Sequence, residues 1–409
     1  MRAYERFIDY VKVHTTSSET SGTHPSFKGE FDLAGQLRDE LISLGLENVK
    51  MDEHCYVYGY LPASKGHENA KTLGFIAHVD TVDEAPGENV KPILHENFNG
   101  EEVTLPGSGV TLKVDKYPEL RLMKGETLIT SDGTTLLGAD DKAGVAEIMT
   151  LLETLTQSDK TDNAIPHGPI WVAFTPDEEI GEGTEFFDLD YFKADFGYTV
   201  DGGDCNLLEN ENFNAAALTV KVNGFSVHPG DAKDKMINAS KVLMEYHSYI
   251  PEMMCPECTE KREGFFHMTE IKSTVLEGVS SYIIRDHDKS LFEEKKKMAR
   301  DIADKLNLKY GSGTVTVEIK DSYYNMLEKI KPHMHLVDNA ISAIKSAGLV
   351  PEIVPIRGGT DGAMLSYKGF PCPNLGTGGF FFHGLAECIS VERMDKVVEI
   401  LVNIVRLYA

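Results

Sequence analysis

Two adjacent glutamates, Glu178 and Glu179, come shortly after an apolar run at residues 170–174 that predicts a strand. Successive side chains at the exit of a strand point to opposite faces, so one carboxylate can bind a metal ion while its neighbour acts as general base toward a metal-bound water. For an isolated pair of glutamates, a solvated acidic loop is the more common explanation. The functional interpretation therefore depends on which other residues lie nearby.

One histidine and three aspartates stand at comparable positions elsewhere in the chain. His78 and Asp80 follow the apolar run 73–77, and this H-x-D spacing is typical of a metal-binding histidine that a carboxylate orients through its other ring nitrogen. A buried histidine with satisfied hydrogen bonds is the alternative. Asp140 and Asp141 precede a predicted helix, where they can equally serve as caps that suit the helix dipole. Each position is ambiguous when taken alone.

Two further residues extend this set. Asp201 follows the apolar run 196–200, and a glycine-rich loop carries a second histidine, His383. In an open α/β sheet the carboxyl ends of the strands meet at one edge, so we expect side chains there to converge. Mixed histidine and carboxylate ligands suit zinc, and one carboxylate can bridge two ions about 3.5–4 Å apart. The side chains expected at this edge are His78, Asp140, Glu179 and Asp201, with His383 supplied by the loop.

The periodicity of the chain predicts two domains. Strands alternate with helices in residues 1–210 and 327–409, which indicates an α/β sheet. Residues 211–326 instead follow the order β-α-β-β-α-β. A length of 409 residues also exceeds the usual size of a single core. We therefore expect a smaller α+β domain inserted into a larger α/β domain.

Composition argues against several classes of partner. With 65 acidic and 40 basic side chains the net charge is −25, which disfavours binding to nucleic acid and to anionic membranes. The first residues predict an amphipathic helix of the mature protein, with Tyr4, Phe7, Ile8 and Val11 on one face, rather than a signal segment. No apolar run approaches the length of a membrane span. A cytoplasmic location is the expectation.

The cysteines do not indicate a disulfide scaffold, since there are only 6 in 409 residues. Cys255 and Cys258 form one C-x-x-C pair, which can be half of a zinc site or a redox pair. No second pair follows, and no βαβ unit surrounds it. An ordinary surface loop is the expected interpretation.

Seven ordered motifs resemble those of the M20 metallopeptidases, and the resemblance extends from the first predicted helix to the last. It implies a zinc-peptidase-like catalytic domain with a mixed sheet and an inserted lid domain. Asp140 would bridge two Zn²⁺ per chain. His78 and Asp201 would complete one ion, and Glu179 and His383 the other. The motifs are FIAHVDT, LLGADDKAG, FTPDEEIGEG, YTVDGG, NGFSVHPGDAKDKMINA, PIRGGTDGA and GTGGFFFHG.

The same resemblance implies an activity. Glu178 would be the general base, Asp80 would orient His78, and the Asp140–Asp141 peptide bond would be cis. The reaction would release the N-terminal residue of a tripeptide through attack of a metal-bound hydroxide on the first peptide carbonyl. A related hydrolase of dipeptides or acyl-amino acids is the alternative. A non-enzymatic metal-binding or assembly protein on the same fold is a second one, although it would have no need of Glu178.

Three residues are candidates for contacting a small peptide substrate. The resemblance implies that the inserted domain is a lid and a possible homodimer surface, and that His228 reaches over the substrate. An exposed histidine on a Pro-Gly turn is the alternative. Arg285 and Arg357 are candidates for holding a peptide carboxylate, because a guanidinium can bind both of its oxygens. For each arginine a surface ion pair is the other interpretation.

Overall fold

The computed structural model describes residues 1–161 and 164–409. The described chain divides into two compact units, which we call the large unit and the small unit. The large unit comprises Met1–Asn210, Glu328–Val354 and Thr360–Ala409, and the small unit comprises Glu211–Leu327 and Pro355–Gly359.

One short segment, Pro355–Gly359, belongs to the small unit although the sequence groups it with residues 327–409. Its backbone contacts explain this. Ile356 forms a parallel bridge with Asn212, and its N–H donates a 2.9 Å hydrogen bond to the carbonyl oxygen of Glu211. Arg357, one of the two candidate arginines, therefore lies on the small unit.

Helices form where apolar residues recur at helical spacing. The helix Glu30–Leu44 buries Leu33, Leu37 and Leu41, and it ends at Gly45, whose φ of 88° is the left-handed conformation that favours glycine at this position. No helix within the described ranges is long and apolar enough to cross a membrane. In chain order the helices are α1 (Ala3–Tyr10), α2 (Glu30–Leu44), α3 (Ala139–Ser158), α4 (Ala239–Ser248), α5 (Lys289–Tyr310), α6 (Leu327–Ile330), α7 (His335–Ser346), α8 (Asp361–Lys368) and α9 (Val391–Leu407).

The strands at residues 73–78, 170–175 and 196–202 fall where continuous apolar runs predict them. In chain order they are β1 (Glu47–Met51), β2 (Val57–Leu61), β3 (Leu73–His78), β4 (Ile93–His95), β5 (Glu102–Thr104), β6 (Thr111–Lys113), β7 (Leu128–Thr130), β8 (Ile170–Thr175), β9 (Phe196–Gly202), β10 (Leu207–Glu209), β11 (Asn214–Asn223), β12 (Phe265–Ser273), β13 (Glu277–Asp286), β14 (Val315–Tyr323), β15 (Glu352–Ile353), β16 (Asn374–Gly376), β17 (Gly379–Phe380) and β18 (Cys388–Ser390).

Eight strands form the main sheet of the large unit, in the order β1-β2-β8-β3-β9-β16-β10-β15. The central strands β8, β3, β9 and β16 run parallel, whereas β1, β2 and β10 add antiparallel pairs. β3 and β8 are buried along their whole lengths, which explains their continuously apolar sequences. α3 packs against β3 and β9. The predicted α/β class with a mixed sheet is confirmed.

The small unit is an antiparallel sheet in the order β12-β13-β11-β14, with α4 and α5 packed against it. Alternate residues of β11 face these helices, so Leu218, Val220 and Val222 are buried together with Phe292 of α5. The chain order β11-α4-β12-β13-α5-β14 is the predicted β-α-β-β-α-β arrangement.

Two features of the large unit are absent from the sequence-based prediction. α8 begins after Thr360, whose hydroxyl oxygen accepts a hydrogen bond from the N–H of Ala363, and it ends at Gly369 in a left-handed conformation. A second sheet, β17-β18-β7-β4, pairs Cys388 with Thr130. Such distant pairing leaves no local periodicity in the sequence.

Candidate metal centre

Three neighbouring parallel strands bring candidate ligands to one edge of the main sheet. β3 ends at His78, which lies opposite Thr175 at the end of β8. β9 lies on the other side of β3 and carries Asp201 within its last two residues, so Asp201 belongs to the strand rather than following it. The carboxyl ends of these strands thus form the edge at which α/β sheets bind ligands.

Asp140 contacts a different histidine through each of its carboxylate oxygens. Its Oδ1 lies 3.0 Å from Nε2 of His78, and its Oδ2 lies 3.3 Å from Nε2 of His383. The peptide bond from Asp140 to Asp141 is cis. A carboxylate that divides its oxygens in this way is suited to bridge two cations.

His78 and Asp201 lie on one side of Asp140. Nε2 of His78 is 3.5 Å from Oδ1 of Asp201, whereas Nδ1 is 3.2 Å from Oδ1 of Asp80. Nδ1 also forms a 3.1 Å hydrogen bond with the carbonyl oxygen of Asp80. Asp80 therefore holds the ring through the nitrogen that faces away from Asp140, which fixes the orientation of Nε2.

His383 and Glu179 lie on the other side. Nε2 of His383 is 3.2 Å from Oε2 of Glu179, while Oε1 of Glu179 is buried and has no hydrogen-bond partner. The backbone of His383 has a φ of 61°, a left-handed conformation that is uncommon for residues other than glycine and is concentrated at functional sites. A buried carboxylate oxygen without a partner is costly unless a cation or another donor satisfies it.

A single carboxylate holds the backbone of both adjacent glutamates. The N–H of Glu178 donates a 3.0 Å hydrogen bond to Oδ1 of Asp80, and that of Glu179 donates a 3.1 Å bond to Oδ2. Glu179 joins His78 and Asp140 in a cluster whose ligand atoms lie within 4.8 Å of one another. Among the described residues, Glu178 belongs to no such cluster. The two glutamates thus have different surroundings, as two separate roles require.

The carboxylates outnumber the histidines, and burial, neighbouring carboxylates and the histidines together shift their pKa values. Burial and the Asp140 carboxylate raise the pKa of Glu179 to about 11. Burial also raises the pKa of Asp201 to about 6, although His78 opposes this. Burial alone would raise the pKa of Asp140, yet hydrogen bonds from His383 and His78 hold it below its ordinary value. Two divalent cations would supply the positive charge that lets these groups ionise together, and the mixed imidazole and carboxylate donors fit such ions.

Glu387 contributes to this centre although no sequence pattern marks it. Its Oε2 accepts 2.8 Å hydrogen bonds from the N–H groups of Leu137 and Gly138, and its Oε1 accepts a 3.0 Å bond from the N–H of Asp140. One buried carboxylate therefore satisfies three backbone donors in the turn that presents Asp140. These partners lie 247 to 250 residues earlier in the chain, so local periodicity cannot reveal them.

Asp141 also takes part, and the DD pair before the predicted helix is the only signal for it. Its Oδ2 accepts a 3.1 Å hydrogen bond from the N–H of His78, and its Oδ1 accepts a 3.2 Å bond from the N–H of Gly144. It also falls in a cluster with His78 and Asp201. Because both oxygens accept backbone N–H groups, Asp141 ties the end of β3 to the start of α3.

α3 approaches β9 at Gly144 more closely than any larger residue would allow. A Cβ atom at Gly144 would lie 1.8 Å from the carbonyl oxygen of Val200 and 2.5 Å from Oδ1 of Asp141. Glycine is therefore required here. α3, whose first turn contains Asp140, thus lies with its backbone directly against β9, the strand that carries Asp201.

The remaining candidates, His228, Arg285 and Arg357, lie on the small unit. His228 is exposed, and its Nδ1 accepts a 3.1 Å hydrogen bond from the N–H of Gly230. Arg285 donates a 2.7 Å bond from Nη1 to the carbonyl oxygen of Arg357, and its Nε is buried without a hydrogen-bond partner. The contact between Arg285 and Arg357 is thus a hydrogen bond to a backbone carbonyl rather than a surface ion pair.

Arg357 is held by backbone and aromatic groups. Its Nη1 donates a 2.6 Å hydrogen bond to the carbonyl oxygen of Lys261, and its Nη2 lies 3.2 Å from Oγ1 of Thr259. The guanidinium carbon is 5.1 Å from the ring centre of Phe213 and 5.6 Å from that of Phe265. The Arg357 guanidinium is thus fixed by cation–π contacts and by carbonyl acceptors.

The C-x-x-C pair stands apart from these contacts. Cys255 and Cys258 are free thiols at the ends of a short 3₁₀ segment, and Cys258 is exposed. In the part of the chain that the structure describes, neither joins a cluster with metal-ligand spacing.

Comparison with known families identifies the class of protein. The sequence profile of Peptidase family M20/M25/M40 matches residues 132–407. The chain therefore belongs to this family, and it is a peptidase, a hydrolase of peptide bonds.

Three individual proteins are similar to this chain over nearly its whole length. A curated protein of Halothermothrix orenii named Peptidase T is 50% identical over 409 residues, which cover 100% of this chain and 99% of that protein. The crystal structure of a tripeptidase from Staphylococcus aureus has a TM-score of 0.78 at 22% identity, covering 100% of this chain and 98% of that one. A dinuclear metal binding peptidase of the M20 family from Bacillus subtilis has a TM-score of 0.64 at 13% identity, covering 99% and 97%. The resemblance to peptidase T therefore extends over the whole chain.

Proposed function

We propose that this chain is a zinc-dependent aminopeptidase that releases the N-terminal residue from tripeptides. The observation that carries the proposal is the division of the Asp140 carboxylate between His78 and His383, at 3.0 and 3.3 Å. The full-length relative named Peptidase T and the similarly folded tripeptidase support the choice of substrate. Zinc is proposed because imidazole and carboxylate donors suit it.

The proposed ligands form two groups around Asp140. His78 and Asp201 would hold one cation, and Glu179 and His383 would hold the other. When bound, the two cations would polarise the scissile carbonyl and lower the pKa of the attacking water. Asp80 keeps Nε2 of His78 aimed at the centre, as its contacts with Nδ1 indicate.

Glu178 is the proposed general base. Its backbone is fixed by Asp80, and its side chain stands outside the ligand clusters of the described chain. It would take a proton from the attacking water and return it to the leaving amine. This role requires a carboxylate beside the ligands that does not itself bind a cation.

Recognition of a tripeptide requires groups for a free amine and for a carboxylate at a fixed separation. We propose His228, Arg285 and Arg357 as the substrate contacts on the small unit, which would act as a lid. Arg285 and Arg357 suit the carboxylate because a guanidinium can donate two parallel hydrogen bonds to it. Arg357 already donates to the carbonyl of Lys261, whereas Nε of Arg285 has no partner.

A panel of peptides tests the substrate class. The metal-free protein and the zinc-restored protein are each assayed on dipeptides, tripeptides and tetrapeptides with free and blocked termini. Tripeptides with both termini free should be hydrolysed fastest, and only after zinc is restored. Preferred hydrolysis of dipeptides or of acyl-amino acids would instead establish the related M20 activity.

Two further proposals concern assembly and location. β12 is an edge strand of the small sheet and exposes Ile271 and Met268, so it offers a surface for a homodimer. Sedimentation should then give twice the chain mass of 45.3 kDa.

The proposed location is the cytoplasm. All six cysteines are free, which fits the reducing conditions there.

A further inference from the structure

A second group of potential metal ligands lies in the large unit, outside the centre described above. His24, Asp177 and Glu182 each offer one ligand atom, and these atoms lie within 4.8 Å of one another. Nδ1 of His24 is 3.0 Å from Oδ2 of Asp177 and 3.8 Å from Oε2 of Glu182. The neighbouring loop carries the proposed base Glu178 and the proposed ligand Glu179, and neither role uses these three side chains.

The imidazole of His24 is buried without a hydrogen-bond partner. Its side chain is only 8% exposed, and neither Nδ1 nor Nε2 makes a hydrogen bond. The 3.0 Å contact with Asp177 therefore lacks the alignment of a hydrogen bond. The ring is enclosed by aromatic side chains, with the ring centres of Phe186 and Tyr56 at 4.9 and 5.7 Å. A buried polar ring in this position requires another partner.

The two ligand spacings measured from Nδ1 of His24 are close to those around a tetrahedral cation. Bonds of about 2.1 Å from zinc to nitrogen and oxygen place neighbouring ligands about 3.4 Å apart. The two distances from Nδ1 of His24, 3.0 and 3.8 Å, lie on either side of this value. Glu182 is 53% exposed, so water can supply the fourth ligand.

The donor types also limit the ion. Magnesium and calcium prefer oxygen ligands, whereas imidazole suits zinc and other late first-row transition metals. We propose that His24, Asp177 and Glu182 form an additional site for one divalent transition-metal ion of the zinc type, separate from the centre around Asp140.

This site holds the loop that carries Glu178 and Glu179. The N–H of Glu182 donates a 2.9 Å hydrogen bond to the carbonyl oxygen of Asp177, so the two carboxylates close one turn of the chain. Both oxygens of Asp177 already accept the N–H of Ser26, at 3.0 and 2.8 Å. An ion bound here links this loop to His24, while Asp80 holds the same loop through the N–H groups of Glu178 and Glu179. Its role is structural.

Zinc stoichiometry tests the site directly. Full-length protein is stripped of metal, loaded with Zn²⁺, desalted and analysed for bound zinc. Wild type should retain one more equivalent per chain than His24→Gln, whatever number the principal centre holds. Glu182→Gln changes an exposed carboxylate and should weaken that one equivalent at least tenfold. Glu185→Gln makes the same charge change three residues further on, at an exposed position, and should retain the wild-type number.

A second measurement keeps the proposal falsifiable if His24→Gln does not fold. Crystals of wild-type protein grown with Zn²⁺ should give an anomalous peak between His24, Asp177 and Glu182, in addition to any at the principal centre. Absence of that peak overturns the proposal, and so does equal zinc retention by wild type and a folded His24→Gln. In either case the cluster binds no cation, and His24 and Asp177 only contact each other directly. Peptidase activity enters neither measurement, so failure of the proposed function would be seen separately.

Discussion

Glu387 accepts a 3.0 Å hydrogen bond from the backbone N–H of Asp140, across 247 residues of sequence. This contact, with the bonds from Leu137 and Gly138, fixes the turn that presents the central carboxylate. A buried acid with three backbone donors is difficult to replace, because an amide puts its own N–H group opposite one of them.

Glu387→Gln should therefore disturb the centre without touching a ligand. We expect unfolding to become easier by about 1–3 kcal/mol and zinc affinity to fall by about 10–100-fold, since one buried N–H loses its acceptor and the turn relaxes. A competitive zinc titration and urea unfolding measure the two effects. Glu399→Gln is the control, because Glu399 is exposed and forms a surface ion pair with Lys396. Unchanged zinc affinity in Glu387→Gln would show that the turn does not depend on this carboxylate.

Glu178→Ala separates the base from the ligands. Turnover should be lost while zinc content stays at the wild-type value, because the side chain of Glu178 is expected to contact the water and no cation. Metal analysis and initial rates on a tripeptide check this. Loss of zinc together with activity would mean that the roles of Glu178 and Glu179 are reversed.

Asp140→Asn tests the bridging role. The amide is a poorer ligand on both sides, so zinc should be lost from both positions rather than from one. Metal content after desalting is the measurement. One equivalent retained at normal affinity would contradict a ligand shared between two cations.

Replacement of each arginine by methionine tests the carboxylate contact. Replacing the residue that holds the carboxylate should weaken transition-state binding of a tripeptide by about 1.5–3 kcal/mol. This is the contribution of a hydrogen bond to a charged group. Tripeptide amides lack that charge and should be cleaved at similar rates by the variant and by wild type. The ratio of kcat/KM for acid and amide is the readout for Arg285→Met and Arg357→Met. If both variants keep the full preference for the free carboxylate, neither arginine holds it.

Glu147 predicts a pH dependence of stability that is independent of the metal centre. Both of its oxygens are buried without partners, and burial, with a smaller contribution from Asp395, raises its pKa well above the ordinary value. The folded state thus keeps a proton that the unfolded chain loses. The stability associated with this proton is complete below the unfolded pKa, near 4.5, and is lost as the pH rises from there toward the folded pKa, at up to about 1.4 kcal/mol per pH unit.

Glu147→Gln should remove this dependence. At constant zinc concentration, the melting temperature of Glu147→Gln minus that of wild type should increase as the pH is raised from 5 to 8. Glu399→Gln should show no such trend. A constant difference between Glu147→Gln and wild type across this range would mean that Glu147 ionises without penalty in the folded protein.

The main sheet and the residues at its edge could be predicted because their signals are local. β3 and β8 are continuously apolar, and a polar residue after such a run must lie near a strand end. This signal predicts His78 and Glu179 as edge residues. The β-α-β-β-α-β order of the small unit is also predictable, because alternating and helical periods follow one another along the chain.

Other features depend on contacts between distant segments. Glu387 and the sheet containing β7 and β18 join residues that are more than 240 positions apart, and nothing in the neighbouring sequence records that pairing. α8 is only eight residues long, and its cap at Thr360 lies within a glycine-rich motif, so its helical period is too brief to recognise. His24 lies in a polar loop, and its burial follows from the aromatic rings around it rather than from its own sequence context.

The contact between Gly144 and Val200 has a consequence for how the centre is assembled. Side chains can repack around a small displacement, but two backbone segments in direct contact cannot. The spacing between the start of α3 and the end of β9 is therefore set once the large unit has folded. The entropy of arranging Asp140 and Asp201 is then lost during folding rather than during cation binding. A preorganised frame of this kind should bind cations with little further loss of conformational entropy.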